Sequence, residues 1–174
     1  MRQTKLSSGT KIVSSAHLVS EKSAELSELE FALIMTGNAF NRWVVRCMGA
    51  AGYRDLGTLD VLVLHTANHR DRAKKLADIC LVLNVEDSHT VSYSLKKLAK
   101  LGFVQSEKRG KEQMYSTTLK GRSVCHDYRR VREDCLIGAL DATNELNREI
   151  GQLAALLRGL SGLYDQAARA ATSL

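Results

Sequence analysis

Proline is missing from all 174 residues, so nothing in the chain forbids long uninterrupted helices. Missing too is any apolar run of the length that crosses a bilayer, and the opening stretch MRQTKLSSGTKIVSS lacks the apolar segment of a secretory signal. Together these absences predict a soluble, cytoplasmic protein with no membrane partner. The four cysteines, Cys47, Cys80, Cys125 and Cys135, are widely spaced in apolar helical surroundings, which suits reduced thiols better than a disulfide framework. Enzyme signatures are absent as well. There is no glycine-rich phosphate loop, no Ser/His/Asp or Cys/His arrangement, and no carboxylate pair at a recognisable spacing. Catalysis is therefore the disfavoured class, and no cofactor is expected.

What the chain does have is a core and an uneven charge. A hydrophobic content of 44% supports one compact unit with helical extensions. The net charge is +6, but residues 68–132 hold 15 Lys/Arg against 7 Asp/Glu, a local +8 that leaves −2 for the rest. A basic surface that merely aids solubility has no reason to concentrate in this way, whereas a polyanion binder does.

Inside that basic segment lies EDSHTVSYSLKKLAKLG, residues 86–102. Val91, Leu95 and Leu98 recur at i, i+4 and i+7, so a helix over 86–101 buries one narrow stripe. Ser88, His89, Ser92, Tyr93, Lys96 and Lys100 then face outward, with hydroxyl, imidazole, phenol and ammonium groups suited to base edges and phosphates in a major groove. Residues 72–83, RAKKLADICLVL, read as a short preceding helix with Leu76, Ile79, Cys80 and Leu83 inward and Lys74 and Lys75 outward. The pair forms a helix-turn-helix joined by Asn84-Val85. After Gly102 the period changes to 2, and the runs 103–107 and 113–117 flank Lys108-Arg109-Gly110-Lys111, which predicts a two-stranded hairpin with a basic tip.

The remaining segments read as helices. From 23 to 51, Leu26, Leu29, Leu33, Phe40, Val44, Cys47 and Ala51 keep a 3/4 spacing, with Thr36 completing the series. Thr58 caps a helix whose apolar residues, Leu59 and 61–64, are nearly continuous and so buried on several sides. Thr118 caps another through about Ile137, carrying Arg122, His126, Arg129, Arg130 and Arg132. Over 140–172, Leu146, Ile150, Leu153, Leu157, Leu160, Tyr164, Ala167 and Ala171 step by alternating 4 and 3, a heptad-like seam that requires a partner. We expect Leu26, Leu29, Leu33, Ile150, Leu153, Leu157, Leu160 and Tyr164 to dimerise the chain, an intramolecular antiparallel pair being the other arrangement. The predicted architecture is mainly α with a small β-hairpin wing: an arm at 1–22, a dimerisation helix at 23–56, a winged helix-turn-helix lobe at 57–118, and C-terminal dimerisation helices at 119–174.

This order of elements resembles the MarR family of winged-helix transcription regulators. KLADICLVLNVEDSHTVSYSLKKLAKLGFV at 75–104 and Thr118-Leu119-Lys120-Gly121-Arg122 carry the likeness, which spans about residues 24–172. The stretch NAFNRWVVRCM at 38–48 resembles an alphaproteobacterial branch of the family, some members of which are linked to cell-wall remodelling. The chain departs from the family's Asp-x-Arg wing pair, having no Asp two residues before Arg109, so the salt link that orients the wing arginine is expected to be absent. The resemblance implies a homodimer on a pseudo-palindromic operator of double-stranded DNA, its two recognition helices one turn apart. Ser88, His89, Ser92 and Tyr93 are the candidate base contacts. Lys74, Lys75, Lys96, Lys97, Lys100, Lys108, Arg109 and Lys111 are the candidate phosphate contacts.

Members of that family often bind small phenolic or amphipathic effectors where the long helices meet the DNA-reading lobe. Trp43, Arg46, Tyr53, His65 and His69 are the candidates for such a site here. Two variants of the same fold compete: a metal sensor using the i, i+4 pair His65 and His69, which lacks a third ligand nearby in sequence, and a thiol sensor using Cys47 beside Arg46. A structural dimer without DNA binding would keep the terminal seams, but would have no reason for a basic hairpin tip.

Overall fold

The structure is a computed structural model, and it describes residues 16–20, 22–140 and 143–174. The expected arm at 1–22 falls mostly outside these residues. The chain divides into two compact units, Met1–Arg132 and Glu133–Leu174.

In the first unit, α1 (Ala24–Ala50) is the long helix that the absence of proline allows. Its C-terminal half buries Val44, Cys47 and Met48, while Leu26, Leu29 and Leu33 in its N-terminal half are half-buried and Phe40 is exposed. The second helix, α2 (Thr58–Asn68), is buried on several sides as its continuous apolar content requires, with Val61, Val63, Leu64 and Ala67 all in the core. Thr58 is not its cap. The Asp60 carboxylate instead accepts the Gly57 N–H at 3.0 Å, and the Thr58 hydroxyl reaches back to the Asn41 carbonyl.

The expected helix over 72–83 begins only at Leu76. Lys74 and Lys75 form a short strand, β1, and α3 spans Leu76–Leu83. Left-handed backbone at Arg70 and Asp71 turns the chain out of α2, and Arg72 leaves it extended. Lys74 then points inward, correcting the outward assignment. Its Nζ donates to the carbonyls of Ala67, His69 and Arg72 at 3.3, 2.5 and 3.1 Å, satisfying acceptors that the end of α2 leaves open.

Asn84, in the left-handed region at φ 51°, makes the tight joint to α4 (Ser88–Lys100), and the Asp87 carboxylate caps α4 by accepting the His89 N–H at 2.9 Å. Val91, Leu95 and Leu98 are the buried stripe, as the periodicity demands, and pack with α2, Ile79 and Val124. Fully burying each such side chain is worth roughly 1.5–3 kcal/mol.

The hairpin of β2 (Val104–Arg109) and β3 (Glu112–Thr117) turns through Gly110-Lys111, with Gly110 at φ 62°. It is one strand wider than expected: β1 pairs antiparallel with β3, Lys74 opposite Tyr115, giving the order β1-β3-β2. Thr118 caps α5 (Leu119–Arg132) as expected, its hydroxyl accepting the Gly121 N–H at 3.0 Å. Gly121 has a second constraint, since a Cβ there would lie 2.0 Å from the Phe103 carbonyl oxygen. Only glycine lets α5 approach the root of the wing this closely. Through Val124, Cys125 and Tyr128, α5 belongs to the first unit's core, although the sequence suggested grouping it with the C-terminal helices.

The second unit holds a π-helical turn, Glu133–Ile137, and α6 (Asn144–Ala171), capped by the Thr143 hydroxyl on the Leu146 N–H at 3.1 Å. No residue of α6 is buried. Of its seam, Ile150 and Leu153 are exposed, and Leu157, Leu160 and Tyr164 are half-buried.

Candidate nucleic-acid interface

One face of α4 carries Ser88, His89, Tyr93, Lys96 and Lys100, all exposed, with the Tyr93 side chain 73% accessible; Ser92 is half-buried on the flank. The three-residue apolar stripe fixes which face this is, because rotating the helix would expose Leu95 and Leu98. The first turn of α4 is also where backbone N–H groups favour anions.

The expected cations divide into three groups. Lys96, Lys100, Lys108 and Lys111 project from α4 and the hairpin. Lys75 is partly exposed and pairs with Glu112 at 2.6 Å, which raises its pKa. Arg109 pairs with Glu107. That contact corrects the expectation of a missing wing salt link, because Glu107 stands two residues before Arg109 and supplies the carboxylate that an Asp would. Two assignments to phosphate fail on geometry. Lys74 is 5% exposed and spends its protons on three carbonyls; burial lowers its pKa. Lys97 turns away from the outer face, its Nζ 2.6 Å from Asp60 Oδ2 and 2.5 Å from the Asp55 carbonyl.

Of the five effector candidates, His65 lines a cavity with residues of α5, and the other four are not among the residues lining that cavity. Arg46 is exposed, and Trp43 is half-buried against the core. Tyr53 donates its hydroxyl to Asp127 at 3.2 Å and lies edge-on to Phe103; burial first, then Asp127, raises its pKa. His69 sits past the end of α2 in an extended conformation, so the supposed i, i+4 pair with His65 does not form. Among the described residues no three metal-ligating side chains come together. His65 lines a cavity of about 480 Å³ with Asn68 of α2 and Arg122, Cys125, His126, Tyr128, Arg129 and Arg132 of α5. Its ring packs on Tyr128 at 4.7 Å, its pKa is lowered by burial, and its buried Nε2 has no hydrogen-bond partner. Arg122 also pairs with Asp71 at 2.5 Å. The α5 residues repeat at i, i+4 and i+7, a signal the sequence carried for a lined face on that helix. The thiol-sensor candidate Cys47 is 1% exposed with its Sγ directed at the Tyr128 carbonyl, and burial pushes the Cys125 thiol up to about 11.

No helix among the described residues is long and apolar enough to cross a membrane. Residues 56–121 match the family described as a winged helix DNA-binding domain. No curated protein matches the chain. Among solved structures, AbfR of Staphylococcus epidermidis is similar at 20% identity and a TM-score of 0.67, covering 82% of this chain and 96% of its own. A MarR variant from E. coli, complexed with operator DNA, matches at 18% identity and 0.63, covering 81% and 99%. CouR from Rhodococcus jostii RHA1, bound to p-coumaroyl-CoA, matches at 14% and 0.60, covering 79% and 94%. Residues 56–121 are thus similar to a winged helix DNA-binding domain, and the chain shares the fold of these solved regulators. The likeness of 38–48 to an alphaproteobacterial branch gains no support from these comparisons.

Proposed function

We propose that this chain is a cytoplasmic, homodimeric transcription regulator of the MarR type. It reads a pseudo-palindromic operator with α4 in the major groove and the β2–β3 hairpin against the backbone. The observation that carries this reading is the division of α4 into a fully buried stripe at Val91, Leu95 and Leu98 and an outer face of Ser88, His89, Tyr93, Lys96 and Lys100. Base contacts fall to Ser88, His89, Ser92 and Tyr93. Phosphate contacts fall to Lys96, Lys100, Lys108, Lys111 and, after exchange of their carboxylate partners, Lys75 and Arg109.

Dimerisation follows from α6, whose exposed Ile150, Leu153, Leu156 and Leu163 leave an apolar surface that another copy would cover. A small aromatic or amphipathic effector suits the His65 cavity, with Tyr128 as its apolar wall and an unpartnered imidazole nitrogen as its polar anchor. The complex of CouR with p-coumaroyl-CoA supports that assignment by analogy of fold.

The test is fluorescence anisotropy with a duplex the protein selects from a random pool and a scrambled control, across a salt series. About eight phosphates neutralised per dimer give a slope of log K against log[salt] near −7, roughly a 10⁴-fold loss of affinity between 50 and 200 mM salt. Equal, weak binding to both duplexes would refute the reading.

A further inference from the structure

Lys97 belongs to the recognition helix and is basic, yet it reaches inward. Asp60 Oδ2 accepts both the Gly57 N–H at 3.0 Å and the Lys97 Nζ at 2.6 Å, and the Asp55 carbonyl accepts a second Lys97 proton at 2.5 Å. Asp60 is 7% exposed, seated in the first turn of α2, where its charge suits the helix dipole. The carboxylate is thus held by backbone before it meets the lysine. Nearby, Tyr53 ties the same segment to Asp127 of α5 and to the ring of Phe103, and the Lys120 Nζ donates to the Leu101 carbonyl at 3.0 Å. The C-terminal end of α4 is fastened to α2 and α5, while its N-terminal end is held by its own Asp87 cap and by Val91.

We propose that Asp60 is a positioning residue for sequence recognition: through Lys97 it fixes the angle at which α4 meets the major groove, and Lys97 is an anchor instead of a phosphate ligand. The inference rests on the DNA-binding reading above and makes a distinct prediction. A phosphate ligand contributes to every duplex equally and steepens the salt slope, whereas an anchor acts only where base edges must be met at the right angle.

The experiment compares wild type, Lys97→Met, Asp60→Asn, the double variant and Lys97→Arg on the selected and scrambled duplexes over a salt series. It is run at a temperature where circular dichroism shows each protein folded. Lys97→Met is expected to lower the ratio of selected to scrambled affinity at least tenfold, with the salt slope on the scrambled duplex unchanged. Asp60→Asn is expected to lower the ratio similarly, while its released ammonium steepens the slope. The double variant should be no worse than either single one, because both break one contact, and Lys97→Arg should restore the ratio. An equal loss on both duplexes with a slope shallower by about 2 per dimer would make Lys97 a phosphate ligand and overturn the proposal. An unchanged ratio would overturn it as well. If Lys97→Met does not fold, Asp60→Asn and Lys97→Arg carry the same comparison. A wild-type protein that fails to discriminate sinks the regulator reading itself, and this inference with it, before any variant is examined.

Discussion

The two units of the chain solve the burial problem in opposite ways. The first closes a core of its own around Met48, Leu64, Ile79, Leu95 and Leu98, with helices on several sides of α2. The second buries no residue of α6, although that helix is the longest in the chain and carries the most regular apolar repeat. Periodicity reports that a face must be covered, and it is silent on what covers it. In α4 the stripe is covered by the same chain; in α6 the seam calls for something further.

Four changes break or sharpen that contrast. The largest effect belongs to the first core. Leu98→Ala should cost about 2–5 kcal/mol, read as a lower denaturation midpoint at unchanged slope. Next, Leu153→Asp with Leu157→Asp should convert the proposed dimer to monomer in sedimentation velocity while leaving the near-ultraviolet dichroism of the first unit in place. Loss of both signals together would mean the two units do not stand apart. Third, Lys74→Met leaves the Ala67, His69 and Arg72 carbonyls short of a donor and should cost about 1–3 kcal/mol. Its salt slope on DNA should match that of wild type, since Lys74 is not on the surface. The smallest effect concerns His65. Burial lowers its pKa, so the unfolded chain binds the proton more readily than the folded one. Stability is accordingly full above about pH 6.5 and declines as the pH falls below that value. His65→Phe should flatten this part of the pH–stability curve, and a curve of unchanged shape would show that another group sets it.

The legible parts of this molecule are those governed by a repeat. Val91, Leu95 and Leu98 located α4 and its outer face, the shift to period 2 located the hairpin, and Thr118 announced α5. What escaped was decided by a neighbour distant in sequence. Lys74 looked like the outer side of a helix because RAKKLADICLVL fits a period of 3.6; its true partners are carbonyls at the end of α2 and a strand 41 residues away at Tyr115. Lys97 and Asp60 are separated by 37 positions, and no local pattern pairs them. Glu107 and Arg109 were within reach of sequence reasoning, which looked for an aspartate where a longer carboxylate does the same task.

At Gly121 the helix α5 and the root of the wing meet without space for one methyl group, and the Thr118 N–H and hydroxyl fasten the same corner to the Phe103 and Gly102 carbonyls. Mechanically, that corner is a weld and not a hinge. The contact falls on Phe103, the residue immediately before β2. The start of α5 and the root of the wing are therefore positioned together, as one piece.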